Sequence, residues 1–151
     1  MTHSPPIRIL IADDHDEVRS GLRAILGGQP GWEIVAEAAD GRQAVDLAAA
    51  TRPDVVVMDY RLPLMNGIEA TRAIRASCPG TEVLIFTMHG GRHLIRRLLE
   101  AGARGYLPKS EARRFLIAAV EALSRHEPFF TDSVPRDLLD VCLGKPASKS
   151  D

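Results

Sequence analysis

Short apolar runs alternate along the chain with segments whose apolar residues recur at helical spacing, and Gly, Pro or Asn-Gly stands at nearly every junction. The first run, residues 7–12, has the composition of a buried strand. The segment after it places Val18, Leu22, Ile25 and Leu26 at i, i+4, i+7 and i+8, the stripe of an amphipathic helix, and Gly27-Gly28 ends it. Residues 32–38 predict a second strand and 41–51 a second helix, with Ala44, Val45, Leu47 and Ala48 on its apolar side and Pro53 closing it. The run Val55-Val56-Val57-Met58 is the clearest strand, apolar throughout as a parallel strand covered on both faces must be, and it ends at Asp59. A loop with Pro63 and Asn66-Gly67 leads into a third helix over 68–77, terminated by Pro79-Gly80. A strand over 83–86 then runs into Thr87. Leu94, Ile95, Leu98 and Leu99 mark a fourth helix, residues 105–107 a short strand with Lys109 just beyond, and Leu116, Ala119, Val120 and Leu123 a fifth helix over 111–125.

Five βα units with strands this short predict an α/β fold: a doubly wound (βα)5, flavodoxin-like three-layer sandwich with a parallel five-stranded sheet of order 2-1-3-4-5. A closed eight-unit barrel would need more chain. Residues 1–126 form one domain on this reading. Beyond it the pattern changes: 127–131 reads as a turn, 133–137 opens a short helix with Leu138, Leu139 and Val141 as its apolar side, and 145–151 is linker-like. Residues 127–151 are therefore expected to be a C-terminal linker with a short helix.

Composition narrows the classes. The 151 residues are 45% hydrophobic and 26% charged, enough for one well-buried core, and a net charge of -1 supplies no overall attraction to a polyanion. Cys78 and Cys142 are far apart with no ligand spacing around them, which argues against a disulfide framework or a zinc site. The apolar run at 7–12 is too short for a signal peptide or a membrane span and gives way to the acidic residues Asp13, Asp14, Asp16 and Glu17, so a cytoplasmic protein without a membrane segment is expected.

In open α/β sheets ligands bind beyond the carboxyl ends of the strands, where the strand order reverses. Asp13 and Asp14 follow the first strand, Asp59 the third, Thr87 the fourth and Lys109 the fifth, while the second ends in alanines; in the order 2-1-3-4-5 the four contributing strands are neighbours. Converging carboxylates repel, and a hard divalent cation relieves this: Mg²⁺ takes carboxylate and carbonyl oxygens and completes its shell with water and phosphate. With the ion and the Lys109 ammonium nearby, Asp59 can stay ionised as a nucleophile towards phosphorus, and Thr87 can donate to a phosphoryl oxygen. Tyr106 could rotate into the space Thr87 vacates. Taken singly, these residues have plainer explanations: Asp13, Asp14 and Asp16 as helix caps, Asp59 as a turn residue, Thr87 as a strand former, Lys109 and His15 as solvated side chains and Tyr106 as core. Their joint placement at the right strand ends favours the chemical reading.

The segments IADDHDEVRSGLRAIL, DVVVMDYRLPLMNGIEATRAIR, VLIFTMH and EAGARGYLPKSE resemble the receiver domain of bacterial two-component response regulators of the NarL/FixJ (LuxR-type) class, over residues 7–125. The resemblance implies Asp59 as the phosphoacceptor, served by a sensor histidine kinase. It implies Asp14 as a direct and Asp13 as an outer ligand of Mg²⁺, the Arg61 backbone carbonyl as a further ligand, and Thr87, Tyr106 and Lys109 as switch and phosphate partners. It also implies a protein that receives and slowly loses a phosphoryl group by self-catalysis instead of turning over a substrate. Three positions depart from the family pattern: Leu62 stands in place of Met, Met88 follows the switch Thr and narrows the approach to it, and Pro108 precedes Lys109 where many receivers have proline after it, so no cis bond is implied there. The basic residues Arg92, His93, Arg96, Arg97, Arg104, Arg113 and Arg114 read most simply as a solvated surface, which the resemblance turns into a partner or homodimer surface sensitive to phosphorylation. Regulators of this class continue into a helix-turn-helix domain, which would carry DNA binding and transcription control; the chain is expected to be such a regulator cut at its linker. Two alternatives stand beside this reading. One is a non-phosphorylated receiver-like interaction module. The other, a phosphohydrolase of the haloacid dehalogenase type, needs an Asp where Arg61 stands.

Overall fold

A computed structural model describes residues 6–88, 90–131 and 134–143, with the backbone alone for 141–143. The apolar runs become strands β1 (Ile7–Ala12), β2 (Trp32–Ala38), β3 (Val55–Met58), β4 (Glu82–Thr87) and β5 (Gly105–Pro108), and the periodic segments become helices α1 (Asp16–Gly27), α2 (Gly41–Thr51), α3 (Gly67–Ser77), α4 (Arg92–Glu100) and α5 (Ala112–Ser124). Two further elements follow, a short strand β6 (Phe129–Phe130) and helix α6 (Arg136–Leu143).

All strands pair in parallel, in the order β2-β1-β3-β4-β5-β6. The α/β doubly wound architecture and the order of its first five strands are as the sequence predicts. The sheet is six-stranded, however, and Phe129 and Phe130, within a stretch expected to be a turn, pair with Gly105 and Tyr106. A two-residue strand spans a single strand period, too little for an alternation to show.

The strand period of two distributes the core. Ile9, Ile11, Val55, Val57, Leu84 and Leu107 face α1 and α5, whereas Leu10, Ala12, Val56, Met58, Val83 and Ile85 face the layer of α2, α3, α4 and α6. Every residue of β3 and β4 is buried, as central strands require; β2, at the edge, is mostly half-buried. Val134 and Leu138 are buried in the same cluster as Ile95, Leu98 and Tyr106, so the start of the segment expected to be a linker packs on the core. The linker expected over 145–151 and the side chain of Val141 lie outside the described residues.

Local chemistry sets the helix starts. Asn66 and Glu69 form a reciprocal capping box, with bonds of 3.0 and 3.1 Å, which fixes the start of α3 just past the loop after β3. Asp40 caps α2 through the Gln43 backbone N–H at 2.7 Å. That helix carries a close approach: a Cβ on Gly41 would lie 1.8 Å from the Met65 carbonyl oxygen, so the loop rests directly on the α2 backbone, and Gly41 N–H donates to the Pro63 carbonyl at 3.1 Å. By contrast α1 has His15 at its N-cap with no side-chain capping bond. Asp13 and Asp14 do not serve as its caps and remain available to the end of the sheet.

Candidate functional site

The ladder between β1, β2 and β3 runs one residue past its strands: Asp13 N–H donates to Ala38 and Asp59 N–H to Ala12, both at 3.0 Å. These bonds bring the two carboxylates side by side at the carboxyl end of the sheet, Asp13 at 1% and Asp59 at 5% exposure. Lys109 opens a single 3-10 turn (Lys109–Glu111) after β5, and its ammonium reaches back over the Phe86 ring. Its Nζ donates to Asp13 Oδ2 at 2.7 Å and to Asp59 Oδ2 at 3.1 Å. No cis peptide bond occurs among the described residues, so the Pro108-Lys109 sequence delivers the lysine through an all-trans chain.

The other carboxylate oxygens are used differently. Asp13 Oδ1 accepts from the His15 backbone N–H and contacts His15 Nδ1, both at 2.9 Å, while Asp14 Oδ1 lies 3.2 Å from the same ring nitrogen. Asp59 Oδ1 is buried with no hydrogen-bond partner among the described residues. Such an orphaned oxygen is costly unless a ligand satisfies it. Asp13, Asp14, His15 and Asp59 each offer a ligand atom, all within 4.8 Å of one another. The set is rich in hard oxygen donors, so these residues fit a divalent cation.

Burial works against ionisation of Asp13, but the bonds from Lys109 and His15 outweigh it and hold the carboxyl below its ordinary value. Lys109 is the converse: burial disfavours its charge, and the bonds to Asp13 and Asp59 more than compensate, raising it. His15 is raised by its bond to Asp13 and the charge of Asp14. Asp13 thus favours the charged forms of Lys109 and His15, and they favour its own.

Beside this cluster lies an open cleft of about 370 Å³ lined by Asp14, Tyr60, Arg61, Leu62, Pro63 and Asn66. The loop is held by Gly67 N–H to the Tyr60 carbonyl at 2.7 Å, and a Cβ on Gly67 would come within 2.8 Å of Tyr60 Cα. A second cleft is lined by Thr87, Met88, Pro108, Lys109 and Ser110. Met88 is 81% exposed, and Thr87 is fully buried at the end of β4. Tyr106 is buried in β5; a Cβ on Gly90 would lie 3.1 Å from its hydroxyl, and burial pushes its pKa up.

The structure therefore gathers Asp13, Asp14, Asp59 and Lys109 at one point, with Thr87 and Arg61 lining the adjoining clefts and Tyr106 inside the core. The sequence alone favours His15 as a solvated side chain. Its position next to Asp13-Asp14 was the available signal, but the direction of its ring depends on Asp13 turning one oxygen back to the His15 backbone. Of the basic residues of α4, Arg92 is ion-paired with Asp137 of α6, and Arg96 lies 3.2 Å from Glu100.

A family model described as "Response regulator receiver domain" matches residues 9–121. The chain is 36% identical over 133 residues to "Transcriptional regulatory protein DegU" of Brevibacillus brevis, covering 88% of this chain and 56% of that protein. It is 37% identical over 133 residues to "Transcriptional regulatory protein LiaR" of Bacillus subtilis (strain 168), covering 88% and 63%. The chain thus spans less than two thirds of these relatives. Among solved structures, a LuxR-family two-component response regulator from Aurantimonas sp. SI85-9A1 superposes with a TM-score of 0.80 at 40% identity, covering 92% of this chain and 96% of that one. The signal receiver domain of the response regulator NarL from Mycobacterium tuberculosis gives 0.79 at 31% identity, covering 82% and 100%.

Proposed function

The chain belongs to the response regulator receiver domain family, a phosphoacceptor switch that acts by self-catalysed phosphotransfer and not by turnover, and from that premise we propose that Asp59 takes the phosphoryl group. One observation carries the assignment: Asp59 is a buried carboxylate whose Oδ2 is held by Lys109 at 3.1 Å while its Oδ1 has no protein partner. The Asp59 carboxylate is the nucleophile towards phosphorus. The bond to the donor nitrogen of a histidine kinase breaks as the P–O bond forms, giving an aspartyl phosphate.

Residue roles follow from position. Lys109 neutralises charge on Asp59 and then on a phosphoryl oxygen. Thr87 donates its hydroxyl to another such oxygen, and Tyr106, on the neighbouring strand, reports that movement to the α4 side. Asp13, Asp14, Asp59 and the Arg61 backbone carbonyl would hold Mg²⁺, which supplies positive charge for the transferring group. Met88 and Pro108, the two departures that most favour a non-phosphorylated interaction module, leave Lys109 within bonding distance of Asp59.

Residues 127–151 are read as the segment that joins the receiver, residues 1–126, to its output. By analogy with the relatives named as transcriptional regulatory proteins, that output is transcription, exerted through a helix-turn-helix domain beyond this chain and accompanied by homodimer formation on phosphorylation. A receiver served by a sensor histidine kinase works in the cytoplasm, which is the location proposed for this protein; among the described residues no helix is long and apolar enough to cross a membrane. Incubation with Mg²⁺ and acetyl phosphate should add one phosphoryl group by intact mass, and Asp59→Asn should abolish it. An adduct persisting in that variant would refute the assignment.

A further inference from the structure

We propose that His15 is a direct nitrogen ligand of the divalent ion at this site, and that it shifts the site's preference from Mg²⁺ towards imidazole-binding first-row ions such as Ni²⁺ and Co²⁺. The inference rests on the reading of the cluster as a cation site. Four residues supply it with one imidazole nitrogen and three carboxylates within 4.8 Å. The oxygens divide into two sets: Asp13 Oδ2 and Asp59 Oδ2 are taken by Lys109, while Asp13 Oδ1 and Asp14 Oδ1 lie 2.9 and 3.2 Å from His15 Nδ1. Asp59 Oδ1, buried and without a partner, is an independent sign that a ligand completes the cluster.

The imidazole is well placed rather than incidental. His15 is the residue from which α1 starts, its N–H is tied to Asp13 Oδ1 at 2.9 Å, and its carbonyl accepts from Arg19 N–H at 3.1 Å. The Arg19 guanidinium in turn donates to the Asp13 carbonyl at 2.6 Å, closing the turn that carries the three consecutive donors. Both polar contacts of Nδ1 are to aspartates of the cluster, and a divalent ion bound among these atoms would displace the proton that Nδ1 shares with them. An all-oxygen shell suits Mg²⁺, whereas a neutral imidazole adds most to the affinity of ions late in the Irving–Williams order.

Two measurements on the full chain test this without reference to phosphotransfer. Pulsed EPR of the Mn²⁺ complex should show coupling to a histidine nitrogen that shifts on ¹⁵N-histidine labelling and disappears in His15→Ala. Calorimetric titration with Ni²⁺ and with Mg²⁺ should show the Ni²⁺/Mg²⁺ affinity ratio falling about tenfold or more in His15→Ala, with Mg²⁺ affinity changed less than about threefold. His15→Asn, which keeps a polar N-cap side chain, should behave like the alanine variant and guards against a folding defect. Mn²⁺ binding without nitrogen coupling, or an unchanged ratio in both variants, would overturn the ligand assignment alone. Failure of wild type to bind Mn²⁺ or Mg²⁺ at all would overturn the cation site itself.

Discussion

Lys109→Met keeps a long unbranched side chain but deletes the ammonium that bonds Asp13 and Asp59 at 2.7 and 3.1 Å. The lysine stem lines an apolar cleft with Val18, Leu22, Ile25 and Phe86, which methionine fills comparably, so the perturbation is chiefly electrostatic. Without the cation two buried carboxylates face each other, their ligand atoms within 4.8 Å. Unit charges at that separation repel by about 3.5 kcal/mol at an effective dielectric of about 20, and deleting one partner of a buried ion pair costs about 3–5 kcal/mol. Urea unfolding in EDTA should therefore show the variant less stable than wild type by about 3 kcal/mol at neutral pH. Adding Asp13→Asn should recover much of this, because it removes one of the two repelling charges. Millimolar Mg²⁺ should narrow the gap by supplying the missing positive charge. A single variant within about 0.5 kcal/mol of wild type in EDTA would refute the idea that Lys109 compensates buried carboxylates.

Two further outcomes follow from particular contacts. Gly41→Ala must push the Met65 carbonyl away, and should cost about 1–3 kcal/mol and weaken Mg²⁺ binding through the displaced loop, whereas Gly80→Ala, with nothing within 4 Å of the added Cβ, should stay within about 0.5 kcal/mol of wild type by the same denaturation assay. Arg23 bonds Glu37 at 2.6 and 3.0 Å and holds that carboxyl below its ordinary value against partial burial. A depressed folded-state pKa contributes stability that is present above the unfolded glutamate value and lost as pH falls through the folded one. Arg23→Ala should raise the Glu37 pKa in a carboxyl-carbon NMR titration and lower stability at pH 7 only slightly, the pair being partly exposed, with the difference vanishing in acid.

How much of this was legible depends on the length over which a signal accumulates. The run Val55–Met58 announced a strand buried on both faces and delivered Asp59 to its end, and Gly41–Thr51 and Trp32–Ala38 have the predicted bounds. Site composition was legible for a related reason: the topology rule converts a residue's place after a strand into a place in space. Orientation was not. Which oxygen of Asp13 meets Lys109 and which meets His15 depends on a turn only a few residues long. Strand β6 is equally opaque, because Phe129-Phe130 is two residues and its pairing with Gly105 and Tyr106 is decided by the sheet. Leu138 is buried on the apolar side predicted for its helix, whereas the burial of Val134 comes from tertiary docking that no local propensity encodes.

The added strand changes what the sheet offers to another chain. With β6 in place, the Gly105-Tyr106 half of β5 is covered, and the outermost strand on that side is only two residues long. The longer free rim belongs to β2 on the opposite side, seven residues that carry Glu33 and the charged Glu37. Edge-to-edge joining is thus discouraged at both margins, by shortness at one and by charged side chains at the other. An association that answers to the state of Asp59 is left to helix surfaces and side chains, whose contacts can be made and broken without building or dismantling a hydrogen-bonded sheet.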